Sequence, residues 1–424
     1  VERFDYLIIG NSVAAVGAVE AIREVDDRSS LAIVCDEPFH TYSRPRISEC
    51  LTSGEAAERI CYRPREFYDE YSVVPILGVR VEHIIPGDKA VCLSDGRKLQ
   101  YQKLLLATGS RPIVPRIEGI GLAGVHYFTT YAHVEQLARS LSDIKQAVVI
   151  GGGLIGLQAA EALCNIGVEV TVVEKLDRIL AQSFDERASA LIEAQFVRHG
   201  VSIITSASVE AILGDGGRVS SISLSNNESI PCQAVVVAVG VTPRKELAEE
   251  AGLRTNRGIV VDDFMRTSDP DVYAAGDVCE SVDLLTGERC LMQIWPNAYA
   301  EGRIAGLNMA GQPTRYKGGI SLNATHFFGY PVGSAGLIGQ MEGCLDLVDF
   351  DESTGFYRRI ITRNGIPIGM VMAGDALDRA GIITAFIRNK TDVSSFITEL
   401  GDRNFNIAHM TRELRLARQL GREM

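Results

Sequence analysis

Residues 147–156 read AVVIGGGLIG, and residues 169–174 read EVTVVE. A short apolar run closed by three glycines, a helix-like segment to about Asn165, and a second apolar run make a strand–turn–helix–strand unit. In such a unit Gly151 permits the tight turn, Gly153 lets backbone reach a pyrophosphate, and Gly156 lets the helix pack closely on the strand. The helix N-terminus, where Ile155 precedes Gly156, offers free N–H groups and a positive dipole end to phosphate. Glu174 closes the second run, where an acid hydrogen-bonds ribose hydroxyls. A carboxylate there repels a 2′-phosphate, so NADH is expected to be favoured over NADPH.

The design occurs twice. Residues 5–9 are apolar-rich and end in Gly10-Asn11-Ser12-Val13-Ala14-Ala15; a helix-like segment runs to about Arg23, and a strand follows at 31–35. Ser12 stands at the middle glycine position and Ala15 at the last. Both are small enough to keep the close approach, and Ser12 adds a hydroxyl suited to phosphate. Asp36 supplies the acid. Two such units predict two nucleotide-binding folds. Residues 112–115, after a strand at 103–107, mark an exit from the first fold. Residues 240–243, after a strand at 234–239, mark an exit from the second. From about 321 the pattern changes to alternating runs at 356–362 and 366–372 around Arg363-Asn364-Gly365, a hairpin in a smaller α+β domain.

Composition sets bounds. With 424 residues the chain can bury two or three cores. A net charge of −12 argues against nucleic acid as a partner. No apolar run approaches the roughly 20 residues that span a bilayer, and the N-terminus enters a strand pattern directly, without the basic and apolar regions of a signal peptide. The expectation is a cytoplasmic protein without membrane insertion. Nine cysteines are scattered without a CxxC or CxxxxC pair, which suits isolated thiols better than a disulfide framework or a metal site. No metal is expected.

Three further segments extend the pattern: 104–112 (LLLATGSRP), 234–243 (AVVVAVGVTP) and 267–278 (TSDPDVYAAGDV). With these the sequence resembles the pyridine nucleotide–disulfide oxidoreductase superfamily of flavoproteins. The resemblance implies an α/β protein with two Rossmann-like dinucleotide-binding domains and a C-terminal α+β domain. The FAD domain is discontinuous (1–115 and 245–320), the NAD(H) domain is inserted (116–244), and an interface domain follows (321–424). It assigns to FAD Gly10, Ser12, Ala15, Asp36, Val81, Ala107, Thr108 and Gly109, with Gly276 and Asp277 at the ribityl–phosphate region. It assigns to NAD(H) Gly151, Gly153, Ile155, Gly156, Glu174 and Gly240.

The match narrows at Tyr42-Ser43-Arg44-Pro45 with Ser48 and Leu51, and at 294–311 (IWPNAYAEGRIAGLNMAG) and 365–375 (GIPIGMVMAGD). These segments resemble NADH–rubredoxin reductases, the flavin portion of nitrite reductases, and FAD subunits of anaerobic aldehyde or 2-oxo acid oxidoreductases. The resemblance places Arg44 and Pro45 along the isoalloxazine and Trp295 and Ala298 at its pyrimidine edge. Where disulfide reductases of the superfamily carry cysteines, this chain has Arg44-Pro45-Arg46, and Cys50 lies several residues beyond. Many relatives pair a lysine of this loop with a glutamate; the matching residues here are Arg44 and Gln158. That predicts an unpaired guanidinium that raises the flavin potential, or a pairing taken over by Glu161 one helical turn on. The implied activity is electron transfer between NAD(H) and an iron–sulfur protein or subunit, ferredoxin-like or rubredoxin, in either direction. A soluble NADH oxidase and a flavin-bearing structural subunit stay open, as does homo- or hetero-oligomerisation. Arg412, Arg415, Arg418 and Arg422 on a C-terminal helix would suit an acidic partner.

Overall fold

The Leu31–Cys35 strand (LAIVC) is apolar without alternation because both of its faces are covered, as in a parallel sheet. In the computed structural model, which describes residues 2–53 and 57–410, it lies between the parallel strands Val73–Leu77 and Glu2–Ile9. Lys98–Leu106 follows on the far side of Glu2–Ile9, also parallel. Its first residues pair antiparallel with Ala90–Leu93, and Leu104–Leu106 pair parallel with Val272–Ala274. The chain after residue 245 thus returns to the first sheet. These elements belong to a unit made of Val1–Ile113, Thr129–Glu135 and Val241–Gly319.

A second unit comprises Val114–Phe128, Gln136–Gly240 and Ile320–Met424. Its parallel sheet runs Ser202–Ile204, Glu169–Val173, Gln146–Ile150, Ala234–Val237, Val125–Tyr127. Strand order reverses beside the glycine-bearing strand in each sheet: between Glu2–Ile9 and Lys98–Leu106, and between Gln146–Ile150 and Ala234–Val237. Those reversals open crevices beyond the strand ends. The Ala234–Val237 strand stops short of residue 239 because the chain turns through Gly240, at φ +111°. The two exit segments form a ribbon, Ser110–Pro112 pairing antiparallel with Val241–Pro243.

The C-terminal sheet of the second unit is antiparallel, in the order Leu322–Phe327, Tyr330–Gly336, Ile366–Ala373, Phe356–Arg363, Cys344–Asp351. Asn364 and Gly365, at φ +51° and +76°, make the two-residue turn of the predicted hairpin. The helix Glu186–Arg198 of the same unit meets this sheet through Phe196, whose ring centroid is 5.3 Å from that of Phe327. Asp185 accepts from the Tyr357 hydroxyl at 2.6 Å.

In the first unit the helix Val13–Val25 packs on the helix Trp295–Met309 through small residues. A Cβ on Gly302 would lie 2.0 Å from the Ala14 carbonyl oxygen, and one on Gly306 2.5 Å from that of Ala18. The helices touch backbone to backbone, closer than the usual 8–10 Å between axes would allow with larger side chains. Gly302→Ala should therefore cost about 1–3 kcal/mol, because neither backbone can yield. Gly381→Ala, whose added carbon meets nothing within 4 Å, should be neutral or slightly stabilising. Thermal melting of the two variants checks this.

Candidate functional site

The first cradle stands at the reversal point of the first sheet. A Cβ on Gly10, at φ +115°, would lie 2.1 Å from the Ala107 carbonyl oxygen, so only glycine fits between the two strand ends. The helix beyond begins with Ser12 as N-cap, its hydroxyl bonding no helix N–H, so the first-turn amides face outward without a side-chain cap. Ala15 is fully buried and packs into the core. Across the crevice Thr108 Oγ1 donates to the Arg244 carbonyl at 2.8 Å, and Gly109 turns at φ +69°. A Cβ on Gly276, at φ +82°, would lie 3.2 Å from the Ala14 Cβ and 3.5 Å from that of Ala298, so the start of the Trp295–Met309 helix and the Gly276–Asp277 turn converge on the same helix start. Ser110 Oγ donates to the Asp277 carboxylate at 2.8 Å, and burial pushes that carboxyl above its ordinary range despite the bond. Trp295 is half-buried, edge-on to Tyr62 at 5.2 Å. Val81 is buried at the start of the Val81–Ile85 strand.

The expectation for Arg44 changes here. Asp36 is engaged by Arg244 Nη1 at 3.0 Å. Arg44 is not unpaired: its Nη2 donates to Glu37 at 2.9 Å and its Nη1 to the Thr129 carbonyl at 3.2 Å. Glu37 also accepts from the Tyr42 hydroxyl at 2.7 Å, and the guanidinium stands 5.4 Å from the Tyr42 ring. Pro45 sets the first turn of a short 3-10 segment, Arg44–Arg46. The carboxylate that balances Arg44 comes from the residue after Asp36. Glu161 takes another partner as well, its Oε1 accepting from Phe328 N–H at 2.6 Å. Gln158 sits half-buried on the same helix, Leu154–Asn165.

The second cradle repeats the first. A Cβ on Gly151, at φ +108°, would lie 2.4 Å from the Ala238 carbonyl oxygen, and one on Gly156 2.0 Å from that of Gly151. Gly153, the N-cap of Leu154–Asn165, has nothing within 4 Å of its Cβ position, leaving open space before Ile155 and the uncapped amides. Glu174 closes its strand and accepts from Gly152 N–H at 2.6 Å and Leu176 N–H at 2.8 Å, so the acid is tied to the glycine turn itself. Gly240 is exposed at the neighbouring strand's end. Both crevices thus combine backbone approach, uncapped helix starts and an acid at the next strand tip, which fits an adenine dinucleotide in each.

Six of the cysteine thiols are raised by burial. Burial pushes Cys35 up to about 12 and Cys232 up to about 11, and raises Cys61, Cys164, Cys279 and Cys290. Sequence reasoning did not find Glu37, Arg244 or Glu301. The only signal for Glu301 was a carboxylate amid alanine and glycine on a helix.

Glu301 is 1% exposed and accepts from Gly276 N–H (2.8 Å), Ser281 Oγ (2.6 Å) and Cys279 Sγ (3.6 Å). Burial outweighs these bonds and lifts its carboxyl to about 7. The folded chain therefore holds the proton more tightly than the unfolded chain. Its contribution to stability is full below about 4.5 and is lost as pH rises to about 7. Glu301→Gln lacks this dependence, so its stability relative to the unsubstituted protein should rise across that window by on the order of 3 kcal/mol. Melting curves of both proteins over the same pH series test this.

Residues 4–302 match the family model of pyridine nucleotide-disulphide oxidoreductases, and residues 322–391 match that of the rubredoxin NAD+ reductase C-terminal domain. The chain is 32% identical to the epsilon subunit of NADH-dependent phenylglyoxylate dehydrogenase from Aromatoleum evansii, over 93% of this chain and 94% of that one. It is 29% identical to the nitrite reductase [NAD(P)H] of Bacillus subtilis over 92% of its own length, but spans only 48% of that protein. The structure of the ferredoxin reductase for the CYP199A2 system of Rhodopseudomonas palustris superposes with a TM-score of 0.87 at 26% identity, covering 95% of this chain and 99% of that one. The chain belongs to the pyridine nucleotide-disulphide oxidoreductase family and is an FAD-dependent NAD(P)H oxidoreductase.

Proposed function

We propose that this protein passes electrons between NAD(H) and a one-electron iron–sulfur protein or partner subunit, with FAD between them and no cysteine in the path. One observation carries the reading: a single chain holds two glycine cradles at the reversal points of two parallel sheets, Gly10 against Ala107 and Gly151 against Ala238. When bound, FAD supplies the conversion between two-electron hydride chemistry and one-electron transfer. The first unit holds it. Gly10, Ser12 and Ala15 admit the pyrophosphate, Thr108 and Gly109 line the crevice, and Asp277 holds the ribityl side. Arg44, fixed by Glu37 and the Thr129 carbonyl, presents a rigid positive charge at the ring, with Pro45, Trp295 and Ala298 shaping its surroundings.

The second unit holds the nicotinamide nucleotide through Gly151, Gly153, Gly156 and Glu174. The carboxylate of Glu174, anchored by two backbone N–H groups, hydrogen-bonds ribose hydroxyls and repels a 2′-phosphate, which favours NADH. A ferredoxin-like or rubredoxin partner is supported by the likeness to a ferredoxin reductase and to the rubredoxin NAD+ reductase C-terminal domain, and a subunit of a larger oxidoreductase by the phenylglyoxylate dehydrogenase likeness. The basic positions Arg412, Arg415, Arg418 and Arg422 lie outside the described residues. No helix among the described residues is long and apolar enough to cross a membrane.

Stopped-flow mixing with NADH under nitrogen should bleach the flavin without a long-wavelength thiol charge-transfer band. Failure to bleach would sink the reading in favour of a structural subunit, and oxygen consumption at catalytic speed would replace it with an oxidase. Gly153→Val should keep FAD and lose NADH reactivity, whereas Gly10→Val should yield protein without FAD. Glu174→Ala should lower the preference for NADH over NADPH by about tenfold, the worth of one hydrogen bond to a charged group. Steady-state kinetics with both nucleotides reads this out.

A further inference from the structure

The carboxyl of Glu301 is buried on the helix Trp295–Met309, and every donor to it is neutral: Gly276 N–H, Cys279 Sγ and Ser281 Oγ. Among the described residues no lysine, arginine or histidine bonds it. The charged groups of the surrounding elements are committed elsewhere. On its own helix, Arg303 pairs with Glu24 at 2.7 Å. On the packed helix Val13–Val25, Glu20 accepts from Arg63 and Tyr299. On the Cys279–Val282 strand, Glu280 turns away to Gly258 N–H and Asn256. On the Val272–Ala274 strand, the Tyr273 hydroxyl reaches the Asn308 carbonyl. What remains is Asp277, one residue beyond the amide that Glu301 holds, and its charge acts against that of Glu301.

The two buried carboxyls are not equivalent. Asp277 accepts from Ser110 and lies in the field of Arg44, both of which hold its negative charge. Glu301 has no such cation. It has instead a hydroxyl partner that works in either sense: Ser281 can donate to a carboxylate or accept from a carboxylic acid. A proton can therefore join or leave Glu301 without displacing a heavy atom.

We propose that Glu301 stores a proton for the redox reaction, taking one up when the FAD held through Asp277 is reduced and releasing it when that FAD is reoxidised. The inference rests on the first unit holding FAD through Asp277. Two electrons and one proton enter together as hydride from NADH, which leaves as NAD+. The added negative charge in a buried site is offset by one further proton, drawn from solvent onto the Glu301 carboxylate, which becomes the acid. When two one-electron acceptors remove the electrons, the hydride's proton and the Glu301 proton both return to solvent. Glu301 touches no reacting atom, so it is a positioning and charge-balancing residue, not a catalytic one.

Glu301→Gln is the discriminating variant, because its amide can accept from Gly276 and donate to Ser281 while carrying no titratable group. In the FAD-loaded protein, potentiometric titration over a pH series should show up to one more proton per two electrons in the unsubstituted protein than in the variant, in the range above about pH 7 where Glu301 is a carboxylate before reduction. The reduced-minus-oxidised infrared difference spectrum should gain a protonated-carboxyl band that the variant lacks. Equal pH slopes in the two proteins would overturn the proposal. So would the absence of a carboxyl band in the unsubstituted protein, which decides the matter even if the variant does not retain FAD. Unsubstituted protein that binds no FAD or is not bleached by NADH would instead overturn the functional reading; normal bleaching without extra proton uptake defeats this inference alone.

Discussion

Backbone contact between two helices far apart in sequence is the constraint on which the first cradle depends. Gly302 and Gly306 bring the Trp295–Met309 helix against the carbonyls of Ala14 and Ala18, and Gly17 does the same in the opposite sense against the Tyr299 carbonyl. Any side chain at these positions would push the helices apart. Gly276 would then part from Ala14, and the turn carrying Asp277 would no longer face the helix that starts at Ser12. The segment after residue 245 returns to the first sheet by the pairing of Val272–Ala274 with Lys98–Leu106. The helix contact is what converts that return into a shared crevice. Dispersion between close-packed small residues and the absence of side-chain entropy to lose both favour such a contact.

Several charges of the first unit have a fixed partner of opposite sign, whereas Glu301 is held by neutral donors. Arg44 is held by Glu37, Asp36 by Arg244, and Asp271 by Lys89 and Lys103. Preorganised pairs keep their orientation when a cofactor changes charge, because little reorganisation is left to do. A carboxyl without a cation responds instead by binding a proton, since burial penalises its charged form. The thiols obey the same physics with the opposite consequence. Burial raises the thiols of Cys35, Cys61, Cys164, Cys232, Cys279 and Cys290 and so disfavours their thiolate forms.

Much of this architecture was legible in the sequence, and the reason is local. Gly10, Gly151 and Gly156 must be glycine because of carbonyls within 2.0–2.4 Å of a Cβ position, and such demands leave a residue pattern beside each strand. Asn364-Gly365 carries its hairpin turn in the same way, through two positive φ angles. The pairing of Arg44 was not legible. Its partner Glu37 follows directly after the acid expected at the strand tip, and nothing in residue order says which of two adjacent carboxylates turns toward the loop. Gln158 in place of a glutamate predicts an unpaired Arg44, with Glu161 as its alternative partner, yet Glu161 bonds an amide of the C-terminal sheet region, a partner 167 residues away that only the fold reveals.

The two cradles, alike in backbone, differ in how each treats its acid, and the difference bears on what each can hold. In the second, Glu174 is bonded to the glycine turn, so its carboxylate is aimed by the loop that would carry the phosphates. In the first, Asp36 is drawn toward Arg244, whose own amide bonds the Gly109 carbonyl. Arg244 thereby ties the strand tip to the segment that crosses back from the second fold. Among the described residues the acid of the second cradle is thus anchored by backbone N–H groups alone. In the first cradle the acid already has a cation partner, and the helix pair at backbone contact fixes the Gly276–Asp277 turn beside the helix start.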